Sequence, residues 1–190
     1  LALSDLVGRL RSGGQIRSTV TAGHAFGGDL EAVNVPSALT LAAHVGGADV
    51  ILAGMGPGVV GTGTALGTTG IEAASILDAA VALGGRAVLC ARASSGDPRP
   101  RHLGLSHHTD TILDLAAHPP LAAPFPEHLV GRPDVTAVDV DVPTLVEVVA
   151  ALDAADIAVT TMGRGPTEDE VFFRTSAAAA RVAARLHDDA

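Results

Sequence analysis

Three times in this chain a helical pattern stops at a Gly-Gly pair and an apolar run follows. Gly13-Gly14 precedes 16–22, Gly46-Gly47 precedes 49–54, and Gly84-Gly85 precedes 87–92. Glycine enters the left-handed backbone region without steric cost, so such a pair ends a helix and redirects the chain. Helices that alternate with short apolar runs predict a parallel sheet covered by helices. The pattern predicts helices over 3–12, 35–45, from Thr69 onward, 107–117, 144–155 and 167–187, and further strands over 135–140 and 157–161. Asn34 and Ser106 read as N-caps, and Thr69 with Glu72 as a capping box. Pro166 and the acids at 168–170 suit the positive end of the last helix. The expected architecture is one α/β domain over 1–190, three-layered and doubly wound, with a mostly parallel sheet of five or six strands.

Composition narrows the function classes. Hydrophobic residues make up 47% and charged residues 17%, as in a well-buried globular domain, and only 2% are aromatic, so Ala, Val, Leu and Ile must build the core. The net charge of −9 argues against a nucleic-acid surface, which needs a basic face to neutralise phosphates. No apolar run reaches the roughly 18 residues of a membrane span. The first residues lack the basic start and apolar stretch of a secretory signal. The expectation is a cytoplasmic protein without nucleic-acid or membrane partners. The single cysteine, Cys90, excludes an intramolecular disulfide and a multi-Cys zinc site; within the apolar run 87–91 it is expected to be buried.

In a parallel sheet the loops after each strand share one edge, where ligands bind. The unusual residues fall there. They comprise G-H-A-F-G-G-D at 23–29, G-P-G-V-V-G-T-G-T at 56–64, D-P-R-P-R-H at 97–102, S-H-H-T at 106–109 and T-M-G-R-G-P-T-E-D-E-V-F-F at 161–173. The opposite connections are bare Gly-Gly turns. With these motifs in this order, nearly the whole chain resembles the bacterial domain-of-unknown-function 3866 family. The resemblance implies no established activity, substrate or cofactor. It does imply a further N-terminal region, so the chain, which begins at Leu1, is expected to be the C-terminal part of a longer protein.

Gly56, Gly58 and Gly61 have the spacing of a dinucleotide fingerprint after a strand. Pro57 removes a donor from that loop, the helix begins only near Thr69, and Arg92, not an acid, ends the next strand. Arg92 with Ser94 and Ser95 leaves an NADP-type site as an alternative. The favoured reading is a plainer anion cradle. Gly56, Gly58, Gly61 and Gly63 would turn N–H groups inward, Thr62 and Thr64 would add hydroxyls, and Arg92, Arg101 and Arg164 would supply guanidinium forks for phosphate or carboxylate. The competing reading pairs the arginines with Asp97, Asp110 and Glu168.

His24, Asp29, His107 and His108 are the candidate acid–base groups. His24, His102, His107 and His108, with Asp29 and Glu31, are also possible metal ligands, but no metal site is assigned. Neighbours such as His107 and His108 point about 100° apart on a helix, and no H-x-x-x-H pair is present. No cofactor is assigned. Two function classes follow: an enzyme acting on a small anionic ligand, and a non-catalytic binding or assembly module. Phe172 and Phe173 read as core or subunit interface, and a homo-oligomer is expected.

Overall fold

The computed structural model describes residues 4–56 and 59–189. Its α-helices stand close to where the sequence pattern put them: α1 (Asp5–Ser12), α2 (Val35–His44), α3 (Glu72–Ala82), α4 (His107–Leu115), α5 (Leu145–Ala154) and α6 (Glu170–Asp188). Local chemistry starts them. Asn34 Oδ1 accepts the Ser37 N–H at 3.0 Å, and Ser106 Oγ accepts the His108 N–H at 3.3 Å. Thr144 and Glu147 form a reciprocal capping box. The box predicted at Thr69 and Glu72 does not form. The Thr69 hydroxyl is occupied by the Val60 N–H at 3.1 Å, Thr68 caps a 3-10 turn over Thr69–Ile71, and α3 begins without a side-chain cap.

The predicted sheet is the main correction. The strands are β1 (Val20–Ala22), β2 (Leu30–Ala32), β3 (Ala93–Ser94), β4 (Gly104–Leu105), β5 (Leu121–Ala122) and β6 (Thr136–Ala137). They form three separate two-stranded sheets: β1-β2 and β5-β6 parallel, β3-β4 antiparallel. Among the described residues these strands are two or three residues long, too short for a five-stranded, doubly wound sheet. The reason is clearest at 50–53, read from the sequence as a buried strand. That run is irregular, with Val50, Ile51 and Leu52 at 55%, 39% and 92% exposure. Residues 157–160 likewise form no strand, and Thr161 makes only an isolated bridge to Arg164.

The core gathers around two extended segments. Residues 87–91 and β5 exchange backbone bonds, Leu89 N–H to the Leu121 carbonyl and Leu121 N–H to the Ala87 carbonyl, each 2.8 Å. On one side Leu77 of α3 and Leu113 of α4 pack with Ala87, Leu89, Ala91 and Ala122. On the other, Ala178 and Val182 of α6 pack with Ala123, and Val88 and Leu121 border that cluster. Alternate residues thus face opposite ways, as an extended chain requires. The same alternation corrects the expectation for Cys90: Leu89 and Ala91 point into the core, and Cys90 between them is exposed. Phe173 is buried and meets Phe172 edge to face, ring centroids 5.3 Å apart. Among the described residues no helix is long and apolar enough to cross a membrane.

Candidate functional site

Two polar clusters flank the segment from Arg92 to Thr109. The first ties β3 to the start of α6. Asp169 precedes α6 but does not cap it, because its carboxylate turns back toward residues 94–96. It accepts from Ser94 Oγ at 2.6 Å, the Ser95 and Gly96 N–H groups at 2.8 and 3.3 Å, and Arg164 Nε at 3.0 Å. Gly96 permits this approach: a Cβ there would collide with the Glu168 carbonyl and press on Arg164 Cδ at 3.0 Å. Asp97 takes a bidentate fork from Arg99 at 2.9 and 2.7 Å, with Arg164 and Arg92 at 3.5 and 3.6 Å. Both carboxylate side chains are wholly buried. The Arg99 fork holds the Asp97 carboxyl far below its ordinary value. At Asp169 burial pushes the carboxyl up, but the Ser94 hydroxyl, the backbone N–H groups and Arg164 outweigh it, and the net direction is down.

The second cluster is a cavity of about 190 Å³ between the loop 61–68 and the start of α4. The 3-10 turn after the loop packs on α4, which holds the two walls together. Gly61, Gly63, Thr64 and Thr68 line one side; Arg99, Arg101, His102, His107 and His108 line the other. The three imidazoles converge. Ring centroids are 4.1 Å apart for His107–His108, 5.0 Å for His102–His107 and 5.3 Å for His102–His108. One nitrogen from each can be chosen so that all lie within 4.8 Å of one another. His102 is buried, with Nδ1 2.8 Å from Ser106 Oγ. His107 Nε2 and His108 Nδ1 are buried atoms without a hydrogen-bond partner among the described residues. Burial first, then the Arg99 charge, pushes His102 down to about 4; burial and then His107 push His108 down as well. A neutral imidazole keeps a lone pair on one nitrogen.

The remaining predicted residues fall elsewhere. Arg101 does line the cavity, whereas Arg92 and Arg164 do not. Arg164 is held by Asp169 and Asp97, and Arg92 lies near Asp97 with its guanidinium 5.6 Å from the Phe172 ring centre. The expected Asp97 pairing is therefore present, while Asp110 pairs with Arg132. Asp29 accepts from the Thr19 N–H and hydroxyl at 2.8 and 2.9 Å and pairs with Arg11 at 2.7 Å, which ties the residue before β1 to α1. Neither Asp29 nor the exposed His24 lines the cavity.

Within the glycine loop, Gly61 and Gly63 line the cavity and Gly56 does not; Gly58 lies outside the described residues. The Thr62 and Thr64 hydroxyls meet each other at 3.1 Å, and the Thr62 N–H donates to the Gly67 carbonyl at 2.7 Å, so these groups close the loop on itself. Gly67 lets the turn close, since a Cβ there would overlap both hydroxyls. No strand precedes the loop among the described residues, which removes the strand–turn–helix setting of a dinucleotide fingerprint. Arg99 and His102 line the cavity as well, although the sequence reading placed neither among its anion-cradle or acid–base residues and offered His102 only as a possible metal ligand. Their signal is the run Pro98-Arg99-Pro100-Arg101-His102, where prolines restrict the backbone beside charged side chains.

Fold and site together define a helix-rich protein with three short two-stranded sheets and a small Gly/Thr-, Arg- and His-lined cavity. The chain belongs to the family described as "protein of unknown function (DUF3866)", whose model matches residues 1–180. No curated protein and no solved structure matches it.

Proposed function

We propose that the cavity between the 61–68 loop and α4 binds a small anion, phosphate or carboxylate. One observation carries this reading: Arg101 lines the cavity without an acidic partner among the described residues, in a chain of net charge −9. The three arginines around Asp97 are by contrast already engaged. The start of α4 adds the positive end of its dipole. Neutral imidazoles beside a bound anion are placed to take or give a proton, which favours an enzyme over a purely structural pocket.

The test is calorimetric titration of the full chain with inorganic phosphate. A charge-assisted hydrogen bond contributes about 1.5–3 kcal/mol, so Arg101→Ala is expected to weaken phosphate binding at least tenfold. Equal affinity in wild type and variant contradicts the reading.

A further inference from the structure

We propose that His102, His107 and His108 form a binding site for a divalent transition-metal ion of the zinc class. Three nitrogen donors that all lie within 4.8 Å of one another are close to what one ion needs. A tetrahedral zinc site with bonds near 2.0–2.1 Å places its nitrogens roughly 3.3 Å apart, a contraction that side-chain torsions can supply.

The orphaned atoms point the same way. His107 Nε2 and His108 Nδ1 are removed from water and bonded to nothing among the described residues. Imidazole stacking cannot answer for them, because each ring nitrogen carries either a donor or a lone pair that needs a partner in its own plane. A metal ion satisfies both at once. In the tautomer with its proton on Nδ1, His102 has the arrangement expected of a ligand with an outer partner: Nδ1–H donates to Ser106 Oγ, 2.8 Å away, and the Nε2 lone pair is left for the ion. An all-imidazole set suits zinc, cobalt, nickel or copper and is unsuited to calcium or magnesium, which take oxygen ligands.

The surroundings define the fourth position. Arg99, Arg101 and the N-terminus of α4 oppose a bare cation, and they favour one whose remaining ligand is negative, either hydroxide or the anion of the cavity. That last clause rests on the anion reading above; metal binding by the histidines does not.

The experiment titrates the metal-free full chain with zinc chloride by calorimetry and with cobalt chloride by visible absorption. The site predicts one equivalent of metal and the intense bands of four-coordinate cobalt. His102→Ala and His107→Ala are expected to weaken binding by at least about 100-fold, and Ser106→Ala by roughly 10–100-fold. Arg101→Ala keeps the metal while it loses phosphate. Wild type that takes up less than one equivalent, or gives the weak spectrum of six-coordinate aqueous cobalt, overturns the inference even if the alanine variants fail to fold. Folded alanine variants that bind zinc as wild type does overturn it too. Phosphate binding by metal-free protein, measured alongside, decides the anion reading separately.

Discussion

The Asp97–Asp169 cluster and the His102–His107–His108 cluster share the stretch of chain around Asp97 to His108 and are opposites in their chemistry. Every carboxylate oxygen of Asp97 and Asp169 has a partner: Arg99, Arg164, Ser94 or a backbone N–H. Two of the imidazoles have a buried nitrogen with none. Buried polar groups in folded proteins are nearly always bonded, and a half-satisfied network is costly. A complete network is explained by the fold it holds, since it joins β3 to α6. An incomplete one is explained by something that enters it. The contrast therefore separates the arginines that hold the protein together from the cavity that has work to do.

The largest expected effect breaks the satisfied side. Asp169→Ala takes a wholly buried carboxylate from the half-buried Arg164 and leaves the Ser94 hydroxyl and the Ser95 N–H unfilled, and removal of one partner from a buried ion pair costs about 3–5 kcal/mol. Urea denaturation measures it; a loss below about 1 kcal/mol would move this cluster into the class of surface pairs.

Acid should erase the same contribution in wild type. The Asp97 and Asp169 carboxyls are held below their ordinary values in the folded protein. Between the folded and unfolded values the unfolded chain binds more protons, so stability rises with pH there. The contribution is complete above an unfolded aspartate's pKa of about 3.9 and is lost as the pH falls through the depressed folded values. Denaturation midpoints followed downward from pH 6 should fall steeply only below about pH 4, and the fall should be shallower in Asp169→Asn. An equal fall in both proteins contradicts this.

The smallest effect comes from the unsatisfied side. His107→Leu removes a buried nitrogen that has no partner, and an orphaned polar atom costs about 1–3 kcal/mol. The metal-free variant should be as stable as wild type or more so by about 1 kcal/mol. A loss comparable to that of Asp169→Ala would place His107 among the residues that hold the fold.

How far the sequence foretells this depends on the kind of signal. Helices were legible because their determinants are local: Asn34, Ser106 and the Thr144–Glu147 pair cap within three residues of themselves. The sheet was not, because apolarity marks an extended run without naming its hydrogen-bond partner. Residues 87–91 find β5, whereas 50–53 have the same character and remain exposed. The roles of the arginines were equally hidden. Arg101 and Arg164 carried the same expected role at one loop edge, and only the approach of Asp169, five residues after Arg164, commits the latter to the fold. For the histidines, 100° of helical rotation argued that His107 and His108 diverge. At the first turn of α4, their rings instead converge over the cavity toward His102.

The most direct test of the central claim is a long-range proton–nitrogen NMR spectrum of the imidazoles at pH 7, recorded before and after one equivalent of zinc. The account predicts neutral rings for His102 and His108 before zinc. After zinc, the nitrogen shifts of three histidines should move together, those of His102, His107 and His108, while the exposed His24 stays unchanged. Ring shifts at 102, 107 and 108 that zinc leaves in place would contradict it, and the orphaned nitrogens would then have no ligand to explain them.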